Sequence, residues 1–367
     1  MSGRADDRRT PTTGRPGRVR IARLTDLAAL GELSRRAQGD EPDDGGIRSL
    51  GLPVSGTPIG IFSLFRLPLG AIRQNDALYV YEEDRRIAGL LRVERDPQRD
   101  EWTIVELDAI GLADAGDIRY RLVQHLLRDA AKRGAARLHV ACADHGGNVE
   151  LFMQAGFARY GEEWLFFRPP GRLPAPMSEA AAAELRIRPA EPLDALPLSR
   201  LHGAATPTPV ARLEGYRLRD WERQAGQPRI PRSSLTPILR FADVSAYVQA
   251  GGPDGEPGEL AGFVQVGVAK EDQPHYLRLC VRPDHDARPL LEFGLGAIAE
   301  ATASASRMPL RPGPRQDHGV VAPVRTYESP VDARLEEAGF ERIAAVTLLM
   351  KETLVRVAEP SLVPAVR

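Results

Sequence analysis

The apolar and polar positions of the chain outline one group of elements that occurs twice. In the first copy, a strand-like stretch at 102–110 leads through a Gly/Asp-rich turn into an amphipathic helix at 117–133. Residues 136–143 then predict a second strand, and a short helix follows that ends in Ala155-Gly156-Phe157. The predicted order is therefore strand, turn, helix, strand, helix.

The second copy repeats this order. A strand at 276–281 precedes the turn Arg282-Pro283-Asp284, and the apolar spacing of 290–303 predicts a helix. A strand at 320–326 follows, and the next helix again ends in Ala-Gly-Phe, here Ala338-Gly339-Phe340. The chain is therefore predicted to contain a duplicated unit.

Matching positions lie at similar but drifting distances in the two copies. Gly89 and Gly262, both within a strand-like Ala-Gly run, are 173 residues apart, and the two helix-ending glycines, Gly156 and Gly339, are 183 residues apart. Such spacing indicates a duplicated domain with loop insertions rather than a short solenoid repeat.

A chain of 367 residues is long enough for two domains of about 100–200 residues each. Residues 169–184 are Pro-rich and then Ala-rich, which is the composition of an interdomain linker. The predicted division is a disordered tail at 1–17, domain 1 at 18–168, a linker at 169–184, domain 2 at 185–358 and a C-terminal tail at 359–367.

Charge and cysteine content narrow the possible partners and location. Lys and Arg together number 49 against 50 Asp and Glu, so no overall field favours nucleic acid or an anionic membrane. Residues 1–17 are polar and Arg-rich, unlike a signal peptide or a membrane span. Cys142 and Cys280 fall in predicted strands of separate copies, so we expect buried thiols, no disulfide and a cytoplasmic protein.

The element order, the duplication, the two Ala-Gly-Phe ends and the strand end Val281-Arg282-Pro283 together resemble the GNAT family of N-acyltransferases. The resemblance implies an α/β fold (an α+β mixed sheet) built as two tandem GNAT-like units. It implies acetyl-CoA or another acyl-CoA as co-substrate. It also implies that two neighbouring parallel strands splay apart around the pantetheine arm, namely 102–110 with 136–143, and 276–281 with 320–326.

The family's phosphate-binding turn is degenerate in both copies. In the first copy, only Gly116 lies near the expected glycines, and Asp117 caps the following helix, where its carboxylate competes with a phosphate for the N–H groups. In the second copy no glycine remains, Pro289 removes one N–H donor, and Arg288 is the one cation placed to meet a phosphate. Both sites are therefore expected to be weakened.

The family's Asn and its Tyr, which protonates the departing thiolate, are also missing. Aligned on the glycines, the first copy has His145 and Phe152 at these positions, with Asn148 nearby, and the second has Glu328 and Leu335. Tyr327 is adjacent and is a candidate acid, although packing is an alternative role for it. Cys142, Asp144 and His145 lack further ligands at zinc-like spacing, so no metal is predicted.

Two carboxylates are candidates for the general base. Strand alternation places Glu106 and Asp108 on one side of 102–110, together with Ile104 and Ile110, where partial desolvation would raise a pKa. The alternative is that both pair with arginines of neighbouring elements. Residues 41–76, rich in Gly and Pro, are predicted as a short second helix and loops that wall an acceptor pocket.

These observations support two hypotheses. The first is an acyl-CoA-dependent N-acyltransferase in which a primary amine of a small molecule or peptide attacks the thioester directly, with Glu106, Asp108 and Tyr327 as catalytic candidates. The second is a catalytically inactive GNAT-like binding or scaffold protein. A monomer or homodimer is expected. The predicted acyl-CoA-contacting residues are Ile110, Gly111, Gly116, Asp117, Ile118, Arg119, Asn148, Cys280, Val281 and Arg288.

Overall fold

The fold was analysed in a computed structural model of the full chain. The residues that the structure describes are 17–26, 29–30, 33, 47–48, 52–53, 76–96, 98–110, 115–144, 147–222, 232–237, 239, 241–251, 258–269, 274–306, 318–328 and 331–353. The predicted N-terminal tail (apart from residue 17), the C-terminal tail and most of 41–76 lie outside them. We call residues 18–168 the first half and residues 185–353 the second half.

The described residues of the first half lie mainly in strands. Its elements are β1 Arg18–Ile21, β2 Ile47–Arg48, β3 Leu52–Pro53, β4 Asp76–Glu83, β5 Arg86–Asp96, β6 Glu101–Ala109, α1 Ala115–Lys132, β7 Arg137–Cys142, α2 Asn148–Gln154 and β8 Ala158–Arg168. The second half repeats β4 to β8, and helices precede this set. Its elements, with the preceding helix α3, are α3 Glu179–Glu184, β9 Ile187–Pro189, α4 Ala195–Ala205, α5 Thr208–Glu214, α6 Leu218–Trp221, β10 Phe241–Ala250, β11 Leu260–Ala269, β12 His275–Val281, α7 Arg288–Ser306, β13 Val320–Arg325, α8 Val331–Glu337 and β14 Glu341–Glu352.

The predicted mixed α/β fold is confirmed, and the halves share one sheet. Twelve strands follow the order β1-β4-β5-β6-β7-β14-β8-β13-β12-β11-β10-β9. The last strand of each half therefore lies beside the other half: β14 pairs with β7, and β8 pairs with β13. β8 and β14 also pair with each other, antiparallel, at the centre. Each half thus completes its sheet with a strand from the other.

Local details repeat across the halves. Asp26 accepts hydrogen bonds from Arg20 and from a backbone N–H at the start of the first half, and Asp194 does the same with Arg188 in the second. Both Ala-Gly-Phe segments end a helix through a glycine with positive φ (86° and 81°). The N–H of the following Phe bonds back five residues in both copies, which closes the helix.

The two faces of the sheet carry different elements. One face packs on α1 and α7: Leu91 and Val93 contact α1 in one apolar cluster, and Val264 and Leu279 contact α7 in another. Neighbouring strand residues point the other way, as Phe263 does toward α4 and α6. Central residues of β8 and β14 on this second face form a further cluster. The functional candidates described below lie mainly on this second face.

The predicted splaying of parallel strands is confirmed in both halves. β6 and β7 pair only from Glu101 to Ile104, although β6 continues to Ala109. β12 and β13 pair only at their first two positions, His275 and Tyr276. We call the gap beyond the paired part of β6 and β7 the first opening and its equivalent between β12 and β13 the second opening.

Candidate active site

A β-bulge lies where the first opening begins. Along β5 and β6, Val93 pairs with Ile104 but Arg92 pairs with Glu106, so Val105 is an extra residue without a partner in the register. Bulges re-aim backbone and side chains next to active sites. The matching strands β11 and β12 pair without interruption from Gly262 to Gly267.

A cavity lies at the point where β6 and β7 separate. It has a volume of about 550 Å³, part of which is open to solvent, and both halves contribute to its walls. Its lining residues are Thr103, Ile104, Val105, His139, Val140, Ala141, Tyr160, Arg232, Ser233, Ser234, Pro237, Arg325 and Leu348. The enclosed part is much smaller than this volume, so the cavity suits a molecule of only a few non-hydrogen atoms.

Glu101 anchors the charged network beside this cavity. Its buried carboxylate lies 3.0 Å from Arg99, 3.3 Å from Arg137 and 3.5 Å from Arg232. Burial alone would raise the pKa of Glu101, but the surrounding cationic and hydrogen-bonding groups outweigh burial and lower it to about 2. Glu101 is therefore ionised at neutral pH.

His139 lies between Glu101 and the cavity. Its Nε2 is 3.6 Å from Oε2 of Glu101 and has no hydrogen-bond partner. Burial lowers the pKa of His139, although Glu101 opposes this effect. The imidazole is therefore neutral at pH 7 and able to accept a proton. Tyr160, in the same cavity, keeps its proton, because burial raises its pKa to about 12.

Glu106 and Asp108 lie side by side, and Glu106 also pairs with Arg92, as the alternative interpretation expected. Glu106 is 5% exposed, its Oε2 lies 3.6 Å from Nε of Arg92, and it interacts with Asp108. Burial raises the pKa of Glu106, whereas Arg92 and Asp108 oppose that shift. Because of the bulge, Ile104 packs on the α1 side with Leu107 rather than beside Glu106.

The predicted acyl-CoA residues of the first half lie near the start of α1. Arg119 donates a hydrogen bond of 2.9 Å from Nη1 to Oδ1 of Asn148, which joins the starts of α1 and α2. Asp117 is exposed and pairs with Arg121 at 2.7 Å. A Cβ on Gly116 would contact nothing within 4 Å. Ile118 is buried in the core. Ile110 is partly buried, and Gly111 lies outside the described residues.

The second opening is filled by an arginine. Arg278 on β12 is 1% exposed, and its Nη1 donates to the carbonyls of Leu279 on β12 and Pro323 on β13. Its guanidinium also forms a two-bond pair with Glu328, at 2.7 and 2.5 Å. The side chain therefore satisfies strand carbonyls that the splaying leaves without a strand partner.

Arg278 occupies the position that Glu106 has in the first half. Gly89 pairs with Ala109 on β6, and Gly262 pairs with Val281 on β12, so counting back three residues from Ala109 and Val281 reaches Glu106 and Arg278. One position thus carries a carboxylate in one half and a cleft-filling cation in the other.

The helix start next to the second opening is also occupied. Asp286 accepts a hydrogen bond of 3.1 Å from the N–H of Arg288 and one of 2.8 Å from Arg334. The predicted phosphate cation, Arg288, is paired with Glu337 at 2.6 Å. A carboxylate thus already uses an N–H group of α7 that a phosphate would need.

The remaining candidates of the second half are largely enclosed. Cys280 and Val281 are 3% and 7% exposed, and burial raises the pKa of Cys280 to about 12. Burial also raises the pKa of Tyr327. These residues lie on or next to strands around the Arg278 pair.

Several residues of the cavity were missed from the sequence. His139 and Thr103 alternate with apolar neighbours inside predicted strands. Tyr160 on β8 and Arg325 on β13 come together because the last strand of each half pairs with the other half. One sequence feature could have identified such residues, namely a polar residue inside an otherwise apolar strand. His139, between Leu138 and Val140, is an example.

Comparison with known proteins gives structural matches only. No family model and no curated protein sequence matches the chain. Among solved structures, a tandem GNAT protein from the clavulanic acid biosynthesis pathway has 14% identity and a TM-score of 0.49, with 92% of this chain and 98% of that chain covered. A GCN5-related N-acetyltransferase from Sphaerobacter thermophilus has 15% identity and a TM-score of 0.48, with 92% and 95% covered.

A GCN5-related N-acetyltransferase from Anabaena variabilis has 12% identity and a TM-score of 0.43, with 92% of this chain and 72% of that chain covered. At such identities and TM-scores the likeness assigns no activity and transfers no residue role. In the described part of the chain, no three His, Cys, Asp or Glu side chains are grouped as metal ligands, and no helix is both long and apolar enough to cross a membrane.

Proposed function

We propose that this protein is an acyl-CoA-dependent N-acyltransferase with one reaction centre, in the first opening. The observation that carries the proposal is the combination found there: splayed strands, the bulge at Val105, and a cavity that contains the neutral His139. In the second opening, Arg278 lies between the strands and bonds carbonyls of both.

The acyl-CoA would enter from the end of the first opening where α1 and α2 begin. The first N–H groups of α1 and the positive end of its dipole favour a pyrophosphate. Arg119, held toward α2 by Asn148, adds a cation there. The thioester would then lie at the bulge, next to the cavity, so that the acyl group and the acceptor meet.

The residues present support direct transfer. The nitrogen of a neutral amine attacks the thioester carbonyl carbon, the C–N bond forms, and the carbonyl electrons move to oxygen. A backbone N–H freed by the bulge at Val105 stabilises that oxyanion. The C–S bond then breaks, the carbonyl re-forms, and CoA leaves as a thiolate.

His139 moves the proton in this scheme. The imidazole nitrogen that does not face Glu101 accepts a proton from the amine nitrogen, and the resulting imidazolium protonates the thiolate, so the imidazole returns to its starting state. Tyr160 is a poor acid for this step, because its pKa of about 12 is well above that of an ordinary thiol. Glu101 fixes the imidazole and stabilises its charged form.

Glu106 is retained as the competing base. Its raised pKa suits a base, but its carboxylate is engaged by Arg92 and Asp108, and it is absent from the cavity wall. His139 meets both requirements: it lines the cavity, and its neutral imidazole has one nitrogen that can accept a proton. We therefore propose His139 as the catalytic base and Glu106 as a residue that supports the strand.

A non-catalytic binding protein is the second candidate. The observation that favours it is Asp117 at the start of α1, where a phosphate would otherwise bind. In that case the first opening would hold a ligand without turnover.

Thermal unfolding with acetyl-CoA and release of free CoA thiol with a panel of small amines test the proposal. Acetyl-CoA at a hundred times its dissociation constant should stabilise the protein by about 2.7 kcal/mol, and some of the amines should produce thiol above the hydrolysis rate. Binding without turnover for any amine would favour the binding protein. No binding at millimolar acetyl-CoA would refute both forms of acyl-CoA recognition.

A further inference from the structure

Three buried polar atoms on residues that line the cavity have no hydrogen-bond partner. They are Oγ1 of Thr103 on β6, Nε2 of His139 on β7 and Nη1 of Arg325 on β13, and all three are buried. Leaving a buried polar atom unpaired costs about 1–3 kcal/mol. Three such atoms around one cavity therefore indicate a polar occupant.

Arg325 presents its free nitrogen in a fixed direction. The residue is 3% exposed; its Nε lies 3.2 Å from Glu163, and its Nη2 lies 3.3 Å from Glu214. Nη2 also donates to the carbonyl of Arg232 at 2.9 Å. Nη1 of this guanidinium has no hydrogen bond, and because a guanidinium nitrogen can only donate, Nη1 requires an acceptor atom.

Thr103 and His139 meet the opposite requirement. The Thr103 hydroxyl can accept or donate, and the neutral imidazole of His139, whose pKa burial lowers, has one nitrogen that can accept a hydrogen bond. An amine donates from its N–H groups. Other lining residues, among them Ala141 and Leu348, are apolar and suit a short hydrocarbon part.

We propose that the acceptor is a small primary amine that also carries a hydrogen-bond-accepting oxygen. Its nitrogen lies against His139 and Thr103 of the first half, and its oxygen accepts from Nη1 of Arg325 of the second half. This rests on the proposed function, because it names the acceptor of that same centre. The second half is thus the part that selects the acceptor, although its own opening is filled.

The oxygen belongs to a hydroxyl, an amide or a carboxylate, and a matched series distinguishes these sources. Propylamine, ethanolamine, glycinamide and glycine have similar size and differ in the oxygen. Binding of each is measured by calorimetry, to the free protein and to the protein saturated with CoA. We expect at least one oxygen-bearing amine to bind about tenfold to a hundredfold more tightly than propylamine.

Thr103→Val tests directly whether the Thr103 hydroxyl contacts the amine. It removes an unpaired hydroxyl, so the melting temperature without ligand should stay equal or rise, yet the preferred amine should bind about tenfold more weakly. Thr302→Val on α7 is the matched control, since that hydroxyl bonds carbonyls of its own helix. It should leave amine binding unchanged.

Two results would overturn this inference: propylamine binding as tightly as every oxygen-bearing amine in both protein states, or Thr103→Val without effect on the preferred amine. The two proposals fail separately. If acetyl-CoA does not bind but the amine preference is present, the transferase proposal fails and the cavity assignment stands. If acetyl-CoA binds and the amines are not discriminated, the acceptor assignment fails alone.

Discussion

The two halves of this protein have the same order of strands and helices around their openings, but the openings differ in what lies between the strands. In the first half, the parallel strands separate at a bulge and border a cavity. In the second half, Arg278 donates hydrogen bonds to carbonyls of both strands across the equivalent gap. The difference traces to one register position, which holds Glu106 in one half and Arg278 in the other.

This comparison shows how a duplicated unit can divide its tasks. A splayed pair of strands leaves backbone groups without partners, so the opening needs either a ligand or a side chain that replaces one. Arg278 meets that need permanently in the second half. Because β8 and β14 are exchanged, the second half still reaches the first opening with Arg325 and Leu348.

The largest effect is expected from His139→Gln. Turnover should fall by about 10²- to 10⁴-fold with acetyl-CoA affinity unchanged, because proton transfer is lost while the binding surface is kept. The pH profile sharpens this test. Burial lowers the pKa of His139 from 6.5, so wild-type turnover should fall only below that pH, and the variant should lack this limb. Glu106→Gln is the matched comparison; if it lowers turnover as far and His139→Gln does not, Glu106 is the base.

Breaking the pair in the second opening should strongly destabilise the fold. Arg278→Met leaves Glu328 buried without its partner, and the cost should be about 3–5 kcal/mol in chemical unfolding. The double variant Arg278→Met/Glu328→Leu should recover most of this loss, since an apolar pair replaces the ionic one. Neither variant should create a second acyl-CoA site. A double variant no more stable than the single one would contradict this account of the filled opening.

Acid should weaken the network beside the first opening through Glu101. The folded-state pKa of Glu101 is lowered from 4.5 to about 2, so its contribution is present above pH 4.5 and is lost as the pH falls toward 2. The measured quantity is the difference in unfolding free energy between wild type and Glu101→Gln. This difference should be about 3 kcal/mol larger at neutral pH than near pH 2. A gap that does not change with pH would show that the carboxylate is not held ionised.

The smallest effect concerns the helix starts. Asp117→Asn should tighten acetyl-CoA binding several-fold, because a carboxylate near a helix N-terminus opposes an incoming phosphate by about 0.3–1 kcal/mol. Asp286→Asn, the counterpart at α7, should leave acetyl-CoA affinity unchanged. Equal responses of the two variants, measured by calorimetry, would mean that the halves do not differ in phosphate access.

Much of the fold could be predicted from the sequence because it is local. The helix predicted at 117–133 is α1, Ala115–Lys132, and the strand predicted at 320–326 is β13, Val320–Arg325. Apolar spacing and the glycine helix ends were sufficient for these. The strand exchange was not predictable, because β8 has an ordinary strand pattern whichever neighbour it pairs with.

The contents of the openings were harder to predict than the openings themselves. Arg278 pairs with Glu328, 50 positions away, and no local pattern connects them. Aligning the two copies on Gly89 and Gly262 would have shown a glutamate opposite an arginine. That contrast is a signal that the two halves differ in function.

The central claim is that acyl-CoA binds once, in the first opening. Isothermal titration with acetyl-CoA measures this directly, on wild type and on two matched variants, Arg119→Gln and Arg288→Gln. We predict one site per chain, weakened about tenfold or more by Arg119→Gln and unaffected by Arg288→Gln. Two sites per chain, or a single site that is lost only with Arg288→Gln, would contradict the account.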